Sequence, residues 1–332
     1  GPRCRDERPQ GQHDHHSGRL RMTGTSTAAA QRAGRLAALL LVIVTALWGS
    51  TFFLIKDLVV TLPPTDFLAV RFAIAALVML AIFHRQVRVL TRRELRLAVV
   101  LGALYGAAQV LQTMGLQHTD ASISGFITGT YVVLTPVIGA ILLRDRITPM
   151  AWFAVGLATI GLAILSLRGL AVGLGEGQTL LAAVIYALHI LALARWSTSE
   201  SAVGLATVQA WVIAAICFVA ALPGGLSLPQ GVGQWASMLY MALIAGAFAL
   251  WAQTWAQAHI TATKAAIVMS LEPVFAAFFA VLFGGEGLTP RMLIGGALVI
   301  VATYLVEWRP GRDPEPSALE EPPIEALHHE AP

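Results

Sequence analysis

In the stretch VMSLEPVFAAFF, Val268 to Phe279, one carboxylate, Glu272, interrupts an apolar run and is followed directly by Pro273. A carboxylate at the centre of a membrane-crossing helix costs on the order of 3 kcal/mol, so such a group must face protein or water. Three roles are open to Glu272: taking up and releasing a proton, binding the ammonium of a cationic or zwitterionic substrate, or a structural bond to Ser, Thr or backbone. Pro273 adds a second polar feature, because its ring removes the helical bond to the carbonyl of Met269. Pro136 does the same to Val132. Arg71 is the other deep charge, about four residues, roughly 6 Å, inside the nearer end of its run. It either snorkels to headgroups or pairs structurally, or it binds a substrate carboxylate.

Weaker polar features gather on the same helices. Tyr105, Gln109 and Gln112 stand at i, i+4 and i+7, a stripe that lipid would not favour, and Thr128, Tyr131 and Thr135 form another. Trp48, beside Ser50 and Thr51, and Trp251 and Trp255, flanking Thr254, offer aromatic walls for apolar or cationic ligands. Packing or interfacial anchoring is the plainer role for these tryptophans. His189 is isolated in mid-helix and reads as a satisfied core histidine. Gly102 with Gly106, and Gly125 with Gly129, read as close helix-packing pairs.

The elements that must hold these residues follow from composition. The 332-residue chain is 56% hydrophobic and 12% charged, with mean hydropathy +0.70, against about 25% charged in a soluble domain. Ten apolar runs, from Leu36–Ile55 to Arg291–Trp308, are each long enough to cross a hydrocarbon core of about 30 Å. The expected fold is an all-α integral membrane protein of ten transmembrane helices. The loops are short, so any activity lies within the bundle. Cys4 and Cys217 suggest neither disulfide nor zinc site. No metal site is expected, and His13 to His16 are read as part of a solvated tail. Residues 1–35 form a polar, disordered tail in which Met22 is a second candidate start. Residues 309–332, acidic and Pro-rich, form another.

Placing the N-terminus in the cytoplasm puts Arg85, Arg88, Arg92, Arg93, Arg96, Arg144, Arg146, Arg195 and Lys264 on cytoplasmic connections, against Lys56, Arg168 and Arg291 opposite. Nine against three predicts both termini inside. The basic loop His84 to Arg96 then anchors topology on anionic lipid, and nucleic acid is not an expected partner.

A fixed offset of 141 residues carries Gln112-Thr113 onto Gln253-Thr254, His118 onto His259, Asp145 onto Glu286 and Thr148-Pro149 onto Thr289-Pro290. Near 138 or 139, helix 2 (Ala69 to Leu77) meets helix 7 (Thr207 to Ile216). The chain reads as five helices duplicated, 36–168 and 178–308. Five is odd, so the second repeat enters the membrane from the other side, the inverted plan of many secondary transporters.

The stretches ALWGSTFFLIKDL (Ala46 to Leu58), LAVRF (Leu68 to Phe72), GLQHTDASISGFITGTYVVLTPVIGAILLRDRITP (Gly115 to Pro149) and ATKAAIVMSLEPVFAAFFAVLFGGEGLTP (Ala262 to Pro290) resemble the EamA family of the drug/metabolite transporter superfamily. The resemblance implies a ten-helix bundle of inverted five-helix repeats in the cytoplasmic membrane, exporting or exchanging small metabolites such as amino acids. It also implies that helices 1 to 4 and 6 to 9 surround a central cavity, with helices 5 and 10 outside. The family's acid after helix 4 is a glutamate; here it is Asp145.

The expected activity is secondary transport of small organic metabolites by alternating access. Cavity residues are Glu272, Arg71, Trp48, Tyr105, Gln109, Gln112, Tyr131, Trp251 and Trp255, with helix breaks at Pro136 and Pro273. Efflux of cationic or aromatic drug-like compounds is the alternative. An intramembrane enzyme lacks support, as there is no HExxH, GxSxG or paired-acid motif, and a channel lacks a ring of like charges. No Walker motif points to ATP drive. Catalytic residues and cofactors are not expected; proton coupling through Glu272 is one option. Expected partners are a small-molecule substrate and the bilayer, with the chain a monomer or a homodimer. Deleting the tail after Arg312 is expected to leave transport intact, checked by flux at matched membrane levels.

Overall fold

The computed structural model describes residues 17–59, 61–118, 124, 127–166, 173–283 and 287–308. Cys4, His13 to His16, Gly125, Arg168, Glu286 and the C-terminal tail lie outside the described residues. Every regular element among the described residues is helical. The first half contains α1 (Ser17–Val59), α2 (Pro64–Arg88), α3 (Arg92–Leu116), α4 (Tyr131–Leu142) and α5 (Pro149–Ser166). The second contains α6 (Leu174–Trp196), α7 (Ala202–Ala221), α8 (Gly231–Ala242), a π-helical turn (Leu243–Phe248), α9 (Ala249–Gln257), α10 (Ala262–Met269), α11 (Glu272–Leu282) and α12 (Pro290–Trp308).

Local sequence sets several of these ends. Pro64 opens α2, where the missing N–H costs nothing. Thr91 and Glu94 form a reciprocal capping box on α3, and Thr261 caps α10 by accepting from the Lys264 N–H. α1 begins at Ser17, inside the stretch expected to be a disordered tail; its run TAAAQRAGRLAALL is rich in strong helix formers.

Among the described residues seven helices are long and apolar enough to cross a bilayer, and three shorter apolar ones span Ile127–Leu142, Pro149–Ile164 and Pro290–Leu305. The helices of one half pack mainly on those of the other, and the pairings come in matched sets. α2 packs on α7, and α5 on α12. α1 on α11 is mirrored by α4 on α6, and α1 on α9 by α3 on α6.

Close approaches fix relative directions. Gly204, at the start of α7, meets Gln86 and Leu90 at the end of α2, so these two run antiparallel. Gly115 at the end of α3 meets Thr179 near the start of α6, again antiparallel. Arg291 at the start of α12 donates to the Ile164 carbonyl at the end of α5 (3.1 Å). α3 and α7 run parallel, Gly102 lying against Gln209 and Val212 and Gly106 against Ile213 and Ile216. Gly102 and Gly106 are thus packing residues, as read from the sequence.

Two carboxylates tie loops to the bundle. Asp66, buried in the first turn of α2, accepts from the Ser227 N–H at 2.9 Å. Asp145 pairs with Arg195 at the end of α6, and both side chains are about one-third exposed. A pair that exposed contributes on the order of 0 to 1 kcal/mol.

α1 packs closely on α11. A Cβ at Gly49 would lie 2.6 Å from the Phe275 Cβ and 2.8 Å from the Ala276 backbone nitrogen, whereas Gly156 has nothing within 4 Å. Gly49→Ala is therefore expected to lower stability by about 1 to 3 kcal/mol, and Gly156→Ala to leave it unchanged or raise it slightly. Thermal unfolding of the purified variants in detergent checks both.

Candidate functional site

Between the halves lies a cavity of about 490 Å³, within the usual range for small-ligand sites of roughly 300 to 1,000 Å³. Its rim includes Pro64 at the start of α2 and the exposed Gln117 just past α3. Trp48, Arg71, Tyr105, Gln109, Gln112, Tyr131 and Glu272 line it. Thr51, Phe67, Thr113, Tyr186, His189 and Gln253 also line it, although the sequence reading did not place them there.

The site is built where helices are interrupted. The fourth and ninth expected helices break at Thr130 and at Ser270–Leu271, ahead of their prolines, and restart at Tyr131 and Glu272. These restarts are equivalent under the offset of 141. In each, a hydroxyl competes for a backbone acceptor: Thr130 Oγ1 donates to the Ile127 carbonyl (2.5 Å) and Ser270 Oγ to the Ile267 carbonyl (2.6 Å). Pro136 lies inside α4, so no break stands there. Pro273 sits in the first turn of α11, and α10 ends at Met269, the residue whose carbonyl that proline leaves without its helical donor.

Glu272 opens an eleven-residue helix, where the N-terminal partial charge favours its carboxylate. It is half-buried, and among the described residues none donates it a hydrogen bond. The structural bond to Ser, Thr or backbone, one of its three candidate roles, is therefore not seen.

Arg71 does not snorkel. It is 6% exposed, with Nε donating to the Met241 carbonyl and Nη2 to the Ala245 carbonyl, both at 3.1 Å. Its guanidinium lies over Phe67 and Phe72, 5.9 and 5.3 Å from their centroids. Trp48 Nε1 donates to the same Ala245 carbonyl at 3.0 Å. These acceptors border or belong to the π turn, whose wider winding disturbs the regular helical ladder. Two of the five guanidinium N–H groups are used, and the rest belong to a group on the cavity wall.

The remaining polar wall is cross-linked. Gln112 donates from Nε2 to Thr128 Oγ1 and accepts at Oε1 from the Tyr186 hydroxyl, each at 3.0 Å. Gln109 Nε2 donates to the Tyr105 hydroxyl at 3.3 Å. The Tyr105 ring meets Phe72, Tyr186 and His189 edge-on at 6.3, 5.7 and 5.2 Å. His189 is buried, its Nε2 bonded to Gln209 Oε1 at 3.1 Å, and its Nδ1 lacks a partner among the described residues. It is therefore a core histidine only half satisfied.

Trp251 and Trp255 do not line the cavity. Trp251 packs on Phe248 and the Val44 cluster, and Trp255 lies over His259 with centroids 4.1 Å apart. Beyond the π turn, it is Gln253 of α9 that takes the cavity side. The offset of 141 was the signal that could have found Gln253 and His189, because it carries Gln112 onto Gln253 and Trp48 onto His189. Among the described residues no cluster of three His, Cys, Asp or Glu could hold a metal.

A helical bundle that crosses the bilayer repeatedly, with a polar cavity between duplicated halves, defines a membrane transport protein. The model of the EamA-like transporter family matches residues 35–167 and again 173–308. An uncharacterized transporter of Archaeoglobus fulgidus is 30% identical over 273 residues, 81% of this chain and 85% of that protein. A solved crystal structure shares the fold at a TM-score of 0.67 and 17% identity, covering 84% of this chain and 96% of its own. The chain belongs to the EamA-like transporter family and is a multi-pass membrane transporter.

Arg71→Met is expected to destabilise the fold by about 1 to 3 kcal/mol, since it strips the Met241 carbonyl of a buried donor. Trp48→Phe should cost less, because Arg71 still serves Ala245. Thermal unfolding of both variants in one detergent tests the order.

Proposed function

We propose that this protein is a secondary transporter that exports or exchanges small organic metabolites such as amino acids, by alternating access around the cavity. The observation that carries this reading is that one cavity is lined both by a carboxylate unpartnered among the described residues, Glu272, and by a guanidinium retaining free N–H groups, Arg71. A zwitterion presents an ammonium to the first and a carboxylate to the second. Tyr105, Tyr131, Tyr186 and Trp48 supply apolar and aromatic surface for the remainder of the substrate.

The matched helix pairings and directions support ten crossings in two inverted five-helix repeats, alternately oriented, with α5 and α12 packed on each other away from the cavity. The excess of Arg and Lys on one set of loops supports the cytoplasmic membrane with both termini inside. Glu272 is the group through which proton coupling would act. No cofactor is invoked, and the transporting unit is a monomer or a homodimer.

A second reading, efflux of cationic or aromatic drug-like compounds, draws on the same aromatic walls and Glu272 but makes no use of the spare Arg71 donors. An amino acid and its methyl ester separate the two. A zwitterion site loses the ester, and a cation site keeps it.

Glu272→Gln is expected to insert normally and to lower metabolite flux by on the order of tenfold or more, the worth of one charge-assisted hydrogen bond of about 1.5 kcal/mol. It should also flatten any pH dependence of transport. Small metabolites in the medium of cells expressing wild type, Glu272→Gln or empty vector at matched membrane levels supply the readout. Wild-type flux with an unchanged pH profile in the variant would remove Glu272 from the mechanism.

A further inference from the structure

The end of the cavity away from its rim is closed by polar side chains of the second half. His189 and Gln253 line the cavity, and Gln257 follows Gln253 by one turn toward the C-terminal end of α9. The three are 0%, 1% and 0% exposed. Among the described residues, His189 Nδ1, Gln253 Oε1 and both Nε2 and Oε1 of Gln257 have no hydrogen-bond partner. Buried polar atoms are paired in the great majority of cases, and Gln257 is the one described residue with both ends of its amide unpaired.

The neighbouring bonds fix the character of these groups. The Thr254 hydroxyl donates to the Leu250 carbonyl at 2.7 Å, so it accepts from Gln209 Nε2 at 3.3 Å. That turns Gln209 Oε1 toward His189, whose Nε2 must then donate across 3.1 Å. In the neutral ring Nδ1 is left as an acceptor. Ser197 Oγ, just past α6, donates to the Thr254 carbonyl at 2.6 Å. One chain of bonds thus joins the cavity wall to the far end of the bundle and pins α6, α7 and α9 together.

The duplication says what this region corresponds to. The offset of 141 carries Trp48, Gln112 and Thr113, all lining the open part of the cavity, onto His189, Gln253 and Thr254. It carries Leu116, beside the rim residue Gln117, onto Gln257. In the first half the amide of Gln112 is bonded at both ends. Its counterpart Gln253 has only a 3.8 Å contact from Nε2 to the Met269 sulfur.

We infer that the face of α9 from Gln253 to Gln257, closed by the His189–Gln209–Thr254 chain, is the second half of the passage. It is shut in this conformation and takes up water when that end opens. The inference rests on the transport reading. Its exposed atoms would include the acceptors His189 Nδ1 and Gln253 Oε1, so the passage suits substrates carrying N–H or O–H donors.

The test places single cysteines at Gln257 or Thr113 in the full chain with Cys4→Ser and Cys217→Ser, in membrane vesicles of both orientations. The probe is a membrane-impermeant methanethiosulfonate. Thr113→Cys is expected to react from one face only and Gln257→Cys from the opposite face only, with Gln209→Leu speeding the latter several-fold by cutting the closing chain. No reaction of Gln257→Cys from either face, or reaction from the Thr113 face, overturns the inference. Gln257→Leu gives an independent check that does not need the cysteine variant to fold. It should raise the thermal midpoint, since the amide left unpaired at both ends is then gone from the shut state, and a lower midpoint counts against the inference. Labelling needs no substrate, so two-sided labelling without metabolite flux removes the transport reading alone, and flux without labelling removes the passage alone.

Discussion

Inside a hydrocarbon layer no water is available for a backbone group that leaves the helical ladder, and each such group must find a partner within the protein. Much of this structure follows from that constraint. The π turn at Leu243–Phe248 disturbs the ladder between α8 and α9, and Arg71 and Trp48 supply N–H donors to the carbonyls of Met241 and Ala245. A guanidinium is costly inside a membrane, and it is tolerated here because acceptors and two aromatic faces surround it. The interruptions at Thr130 and Ser270 obey the same rule with local hydroxyls. Irregular backbone and cavity therefore occur together, each making the other tolerable.

Duplication explains why the wall has the composition it does. Equivalent positions of both halves line the cavity: Trp48 and His189, Gln112 and Gln253, Thr128 and Met269, Tyr131 and Glu272. The backbone plan is shared by the two halves, but the chemistry is not. The carboxylate belongs only to the second half, and the guanidinium only to the first, where helix 7 carries Gln209 in place of Arg71. A pseudo-symmetric shell with one acidic and one basic pole can hold a dipolar molecule in one orientation, which a symmetric lining could not do.

The same contrast separates what was legible in the sequence from what was not. A carboxylate in an apolar run has few places to go, so Glu272 could be placed from its cost alone. Tyr105, Gln109 and Gln112 followed from helical spacing, since α3 is uninterrupted from Arg92 to Leu116. Trp251 and Trp255 stand out by residue type alone, which does not say which face of their helix the cavity takes, and both pack elsewhere. Pro136 breaks nothing, the interruption in its helix standing at Thr130, whereas the helix ahead of Pro273 does end at Met269, as the missing N–H requires. His189 was judged by its isolation in sequence, which hid its equivalence to Trp48.

Arg71 joins these threads. Two of its N–H groups bond carbonyls at the π turn, and α9 runs directly on from that turn, with Gln253 at the cavity and Gln257 buried beyond it. On the proposed reading a substrate carboxylate engages the remaining N–H groups without displacing the two carbonyl bonds, because a guanidinium has donors enough for both. Binding would then tighten the attachment of α2 to the turn between α8 and α9 rather than loosen it. The side chain that recognises the substrate would thereby fix the helix whose polar face continues the passage, so that recognition and closure act on one element.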